Sequence, residues 1–285
     1  MKLIVDSGST KTDWCFAQSS STYTLIQTDG INPIVQPSNE IISIVRDQMY
    51  SSVVQQQVDL ESLNSIYFYG AGCTVEHCAI IERVLHSVLC KTIPIYIDSD
   101  LLAAARALCG TQAGIACILG TGSNSCYYDG VAIEQHTPAL GYILGDEGSG
   151  AVLGRMFINA LLKGVLPQAM RNDFFDEFST NQADIIDKVY HNPSPNRFLA
   201  SISKFILPRV SDIKLEKLVT QNFENFIVYN ITNYSKAERV INAVGSVAFL
   251  YNKQLKQAAE NHGYKIGKLI KSPLEGLLEY HFSNK

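Results

Sequence analysis

The chain has 285 residues, of which 46% are hydrophobic and 18% charged, with a formal net charge of -4. That length provides for two domains with substantial cores, and the composition is that of an ordinary globular protein. Lysine and arginine are scattered, which excludes the electrostatic footprint of a nucleic-acid binder and points to a small-molecule partner. No apolar run approaches the ~20 residues that span a bilayer. The chain also reaches Asp6 after one short apolar run, leaving no room for the core of an export signal. Seven cysteines, an odd number without a CxxC pair, read as reduced, mostly buried thiols, so a cytoplasmic protein is expected.

The first element is a short apolar strand, Leu3-Ile-Val5, followed by Asp6-Ser-Gly-Ser-Thr-Lys-Thr-Asp-Trp14 and Cys15-Phe-Ala17. This is strand, tight turn, strand. A turn of Gly8 and small hydroxyl residues leaves consecutive backbone N–H groups uncovered, a concave site for phosphate oxygens. Asp6 at the strand end is placed to hold a cation there. Taken alone, the stretch equally describes an exposed hairpin with a solvated Asp6. A second copy of the pattern changes that: Ile115 to Leu119 lead into Gly120-Thr-Gly-Ser-Asn124 and then Ser125-Cys-Tyr-Tyr128. Two phosphate-type hairpins about one domain length apart predict two similar halves facing each other across a nucleotide.

Between the hairpins, residues 23–27 read as a third strand ending at Asp29-Gly-Ile-Asn-Pro33. Asn32 there either faces a ligand or forms a turn through its own side chain. Ser38 is a candidate cap for a helix with Ile41, Val45 and Met49 on one face. Residues 65–69 read as a buried strand, and Ile81, Leu85 and Val88 as the core face of the next helix. A strand at 93–97 enters Asp98-Ser-Asp100 and an Ala-rich helix, with Ser99 as N-cap and Gly110 as stop. Asp100 then falls in the first helical turn, where the helix dipole favours a carboxylate. It also lies at the carboxyl end of a strand, where ligands bind in α/β sheets and where a carboxylate can accept a proton from a hydroxyl.

The alternation of strands and helices argues for mixed α/β layers. After a strand at 131–136 comes the densest motif, Gly141-Tyr-Ile-Leu-Gly-Asp-Glu-Gly-Ser-Gly150, ahead of a helix with Val152, Met156, Ala160 and Leu153, Phe157, Leu161 on its core faces. Asp146 and Glu147 read either as helix-start acids or, because so many glycines let something approach the backbone, as ligand contacts. Residues 168–233 read as broken helices, with Leu215, Val219, Phe223 and Phe226 marking a long amphipathic one. Residues 239–244 read as a last buried strand running into Gly245-Ser-Val-Ala248; Gly245 admits either a flat base or close helix packing. A terminal helix from Pro273 to about Phe282 is expected to return to the first domain. The six histidines show no metal-ligand spacing, and there is no P-loop, Ser-His-Asp arrangement or GxGxxG.

Taken together, these motifs resemble the BadF/BadG/BcrA/BcrD-type ATPase family, most closely its N-acetylglucosamine kinase branch. The resemblance implies two similar actin-like (ribonuclease H-like) α/β domains with a nucleotide cleft between them: residues 1–110 plus a terminal helix at about 272–285, and residues 111–271 with a helical insert. It implies ATP and Mg2+ as cofactors. Ser7, Gly8, Ser9, Thr10, Lys11 and Thr12 with Gly120, Thr121, Gly122 and Ser123 would hold the phosphates, Gly245 and Ser246 would flank adenine, and Asp6 would position Mg2+ through water. Asp100 would be the base for a sugar 6-hydroxyl, with Asn32, Asn124, Gly141 and Asp146 around the sugar. The implied partner is an amino sugar, N-acetylglucosamine first, with glucosamine or another hexosamine as alternative; neither nucleic acid nor membrane is a partner, and the family's expectation is a homodimer. A second class is an ATPase that activates a partner enzyme. Such relatives hold an iron-sulfur cluster through cysteines, and no cysteine here stands in a cluster-binding arrangement, although Cys73 and Cys78 are close in sequence.

Overall fold

The structure, a computed structural model, describes residues 1–8, 10–89 and 92–283. They fall into two units: Met1–Gln112 with Gly130–Ala132 and the chain from Ser272 on, and Ala113–Asp129 with Ile133–Lys271.

In the first unit β1 (Lys2–Ser7), β2 (Lys11–Ala17), β3 (Tyr23–Asp29), β4 (Ser65–Gly70) and β5 (Ile95–Ser99) form one sheet in the order β3-β2-β1-β4-β5. The first three are antiparallel neighbours; β4 and β5 run parallel to β1. Side chains alternate across the sheet. Leu3, Val5, Trp14, Phe16, Ile66 and Phe68 therefore share one buried face with the helical segment 38–55 and the helix Cys78–Leu89. Trp14 is fully buried, packs edge-to-face on Phe68 with centroids 5.9 Å apart, and donates its indole N–H to Thr28 Oγ1 at 2.9 Å. Each such side chain contributes about 1.5–3 kcal/mol by leaving water. The helices Asp100–Cys109 and Leu274–Phe282 pack on each other and on this sheet, so closely that a Cβ on Gly276 would meet the Ala107 carbonyl oxygen at 2.4 Å.

The second unit repeats the plan. Strands β6 (Gly114–Leu119), β7 (Ser123–Tyr128), β8 (Ile133–His136), β9 (Val240–Val244) and β10 (Lys265–Ile270) lie in the order β10-β9-β6-β7-β8, again a meander whose first strand pairs in parallel with the fourth, and the fourth with the fifth. Helices between β8 and β9 build most of its core, with Leu153, Phe157, Leu161, Leu215, Val219, Phe223 and Phe226 all buried.

Three local expectations change. Ser38 is the first helical residue rather than the cap; Pro37 holds that position, and no side chain caps the helix. The strand at 240–244 is not the last. Lys265–Ile270 pairs with it at the sheet edge, where its lysines face outwards and its register slips between Ile266 and Leu269, which blurs the alternation that marks a strand. Asp146 and Glu147 are not helix-start acids, because Ser149 is the N-cap of Gly150–Leu162 and both acids stand in the loop before it.

Candidate active site

In the first unit the β1–β2 turn closes with the Gly8 N–H on the Lys11 carbonyl at 3.0 Å, and Ser7 faces Thr12 across it. The Ser7 and Thr12 hydroxyls are fully buried and 2.7 Å apart, and that of Ser7 also donates to the Ile31 carbonyl. Their role inside the unit is to tie the turn to the chain that follows β3. Gly8, Thr10 and Lys11 keep contact with solvent, and Ser9 lies outside the described residues.

Asp6 stands opposite Asp13 in the β1–β2 register. Asp13, which sequence reading passed over, is almost fully buried and holds the Lys11 ammonium at 2.7 Å on one oxygen and the Gln27 amide at 2.7 Å on the other. Burial, then the charges of Asp13 and Asp100, push Asp6 up to about 7, against the pull of Lys11. The only sequence signal for Asp13 was its place two residues past Lys11, which means nothing until the register is known.

Asp100 opens the helix Asp100–Cys109, but it does not cap it: the Ser99 hydroxyl accepts the Leu102 N–H at 3.2 Å and takes that role. The Asp100 carboxylate is left at the carboxyl end of β5. Burial raises its pKa to about 6, opposed by hydrogen bonds from the backbone N–H groups of Leu101 and of Asp100 itself. Asn32 uses its Oδ1 to accept the Ile34 N–H at 3.0 Å, forming its own turn, and abuts Gly72 so tightly that a Cβ there would lie 2.1 Å from that oxygen.

In the second unit the turn of Gly120, Thr121 and Gly122 is stapled to the start of the helix Gly150–Leu162. Gly120 and Thr121 carbonyls accept the N–H groups of Gly150 and Ala151 at 2.8 and 3.1 Å. Asp146 sits beside Gly122, accepts the Ser123 N–H, and holds a left-handed backbone (φ 56) that a residue with a side chain rarely adopts. Burial and the neighbouring Glu147 raise its pKa, while the Ser123 N–H and Arg155 oppose the rise. The loop is anchored by Asn222, fully buried in the helix Ile213–Phe226. Its Oδ1 accepts the Gly148 N–H at 3.0 Å and its amide donates to the Ser149 carbonyl at 3.1 Å. No sequence signal separated this asparagine from the polar positions of an amphipathic helix.

Ser123, Asn124 and Asp146 line an open cavity of about 530 Å³. Its lining includes the polar side chains of Asn124, Asp146, Glu147 and Asn230 and the apolar ones of Pro138, Leu140 and Leu144. The Asn230 amide donates to Glu147 at 3.3 Å, and Asn124 Oδ1 is shared by His136 Nε2 at 2.9 Å and the Ser125 N–H. Burial lowers the His136 pKa, so its ring stays neutral at pH 7. Gly141 (φ 72) begins the short helix Gly141–Leu144 at the rim and is exposed. Gly245 (φ 128) packs closely, since a Cβ would meet the Leu119 carbonyl oxygen at 2.3 Å; Ser246 beyond it is exposed.

Among solved structures, one of a Porphyromonas gingivalis protein that carries the provisional name N-acetylglucosamine kinase is 45% identical, with 100% of this chain and 99% of that one covered and a TM-score of 0.95. The chain belongs to that protein's family. A second protein under the same provisional name, from Chromobacterium violaceum, has a TM-score of 0.69 at 17% identity, covering 98% of each chain. A ROK family glucokinase from Streptomyces griseus, solved with glucose and AMPPNP, has 0.57 at 13%, covering 98% and 97%. These two share the fold, the doubled α/β arrangement of actin-like ATPases and hexokinases. No protein-family model matches the chain, and a search of curated proteins finds no match. Among the described residues no helix is long and apolar enough to cross a membrane.

Proposed function

We propose that this protein is an ATP- and Mg2+-dependent kinase that phosphorylates the 6-hydroxyl of an amino sugar, N-acetylglucosamine first, and that it falls in the BadF/BadG-type branch. The observation that carries the reading is the 45% identity over the whole chain to the P. gingivalis protein with that provisional name. The geometry supports it. Asp100, with a pKa raised to about 6, is ionised at pH 7 and a stronger base than an ordinary carboxylate, as acceptance of a hydroxyl proton requires. The 530 Å³ cavity is lined both by carboxylates and amides that suit hydroxyls and by apolar side chains that suit a sugar ring or acyl group.

The residues around Asp6 fit a divalent cation, because burial first, and then the charges of Asp13 and Asp100, push Asp6 to about 7, a cost that bound positive charge would remove. Mg2+ retains waters and needs only one or two carboxylates besides phosphate, so Asp6 is the residue to hold it, and it would neutralise charge on the transferring phosphoryl group. Asp100 takes the proton from the sugar hydroxyl. Within the first unit the turn of Gly8, Thr10 and Lys11 would take phosphate oxygens and Asn32 a sugar hydroxyl; within the second unit Gly120 to Ser123 would take phosphate oxygens and Asn124 and Asp146 sugar hydroxyls.

ATP turnover by the purified protein without sugar and with N-acetylglucosamine, glucosamine, N-acetylmannosamine and glucose tests this, beside Asp100→Ala. Turnover with one amino sugar that vanishes in the variant is expected. Sugar-independent hydrolysis insensitive to Asp100 would overturn the reading.

A further inference from the structure

A second cavity, of about 400 Å³, opens on the first unit and shares no lining residue with the site above. It lies along the edge strand β5, beneath the end of the helix Leu274–Phe282. Its floor is aromatic. Tyr67 and Tyr96, partners in the β4–β5 register, stack with centroids 5.0 Å apart and planes within 11°, and His281 covers the other side of Tyr67 at 4.0 Å. Tyr96 remains 52% exposed, an unusual state for a large ring on a sheet face.

Above this floor stand two cations and one carboxylate. Arg106 gives Nη1 to the Tyr69 hydroxyl at 2.7 Å and to Asp98 at 3.7 Å, and lies over the Tyr280 ring at 5.2 Å. Among the described residues its Nε has no hydrogen-bond partner, but that atom is buried, so what the guanidinium offers the cavity is its charge and its terminal nitrogens. The Lys2 ammonium donates to the His281 carbonyl at 2.6 Å, which leaves it two further donors. Asp98 is 41% exposed and offers acceptor oxygens to the cavity.

A structural core does not need this combination: an uncovered aromatic platform, excess positive charge with spare donors, and a half-exposed carboxylate. A sugar ring presents C–H groups to an aromatic face, its hydroxyls donate to a carboxylate, and a phosphate satisfies arginine and lysine donors. We propose that this cavity is a second small-molecule site that takes a phosphorylated hexose, its ring on Tyr96, its hydroxyls at Asp98 and its phosphate at Arg106 and Lys2. The site stands apart from the kinase reading. Asp98 lies two residues before Asp100, and Arg106 sits on the helix that Asp100 opens, so a ligand here bears on the element that carries the candidate base.

Calorimetric titration of the full chain with glucose 6-phosphate tests it, with glucose and inorganic phosphate as controls. The titration is done in an Asp146→Asn background, so that binding in the second unit's cavity is weakened. One molecule bound per chain is expected, weakened roughly three- to tenfold by adding Tyr96→Ala, a loss on the scale of one aromatic contact. Tyr96 is half exposed on an edge strand, so this variant folds; Arg106→Lys, which keeps charge but loses the fork, is a second arm expected to weaken glucose 6-phosphate more than glucose. No binding in the Asp146→Asn background, or binding indifferent to Tyr96→Ala and Arg106→Lys, overturns the proposal, whether or not the protein turns over ATP.

Discussion

Replacing Asp100 by Asn separates what this carboxylate does for chemistry from what it costs the fold. The folded pKa of about 6 lies above the ordinary 3.8, so folding disfavours the ionised form. The penalty is absent below pH 3.8, grows as pH rises towards 6 and is complete above it. The difference between 3.8 and about 6 corresponds to about 3 kcal/mol at 1.36 kcal/mol per unit, an upper bound, since water still reaches part of the residue. Asparagine carries no charge and can still accept one of the backbone N–H groups. The variant should therefore be more stable than the parent by roughly 1–3 kcal/mol at pH 7.5 and no more stable at pH 4. In the same protein, loss of a general base should lower kcat by roughly 10²- to 10⁴-fold with nucleotide affinity nearly unchanged. Thermal melts at the two pH values, a coupled ATP turnover assay with N-acetylglucosamine and a nucleotide titration measure all three. A variant that keeps more than about a tenth of parental kcat, or whose stability gain is the same at pH 4 and 7.5, would refute the reasoning.

Asp13→Asn removes the charge facing Asp6, so the Asp6 pKa should fall from about 7 and the acid limb of the kcat profile should move to lower pH; the profile of the pair, parent and variant, checks it. Asn222→Ala strips the partners from the Gly148 N–H and the Ser149 carbonyl, both buried, and should cost roughly 2–4 kcal/mol in denaturant unfolding while raising KM for sugar more than KM for ATP. Gly245→Ala combines a positive φ with a Cβ 2.3 Å from the Leu119 carbonyl oxygen. It should destabilise by roughly 2–4 kcal/mol, measured by the same unfolding curve, and an unchanged midpoint would deny the clash.

The parts of the site that were legible are those set by neighbours in the chain. Gly8 and Gly120 each sit in a turn between an apolar strand and its antiparallel return, and a turn is chosen by two or three consecutive residues. The face Leu153, Phe157, Leu161 was read from its spacing and is the deeply buried one, whereas Met156 and Ala160 on the adjoining face keep some exposure. Asp100 was legible as a first-turn residue at a strand end behind the Ser99 cap, and the structure keeps both positions; what the sequence could not show is the burial that raises its pKa.

By itself, then, the sequence determined the turns, the helical faces and the repeat of a hairpin one domain length on, because each depends on contacts within about four residues. Only the tertiary structure decided which distant residues share a place. Register brought Asp13 against Asp6, a helix 70-odd residues downstream tied down the Asp146 loop through Asn222, and the terminal helix returned to set His281 over Tyr67. Nothing local specifies such neighbours. They follow from how two sheets bury their apolar faces, and polar groups carried inwards must then find one another or stay unsatisfied.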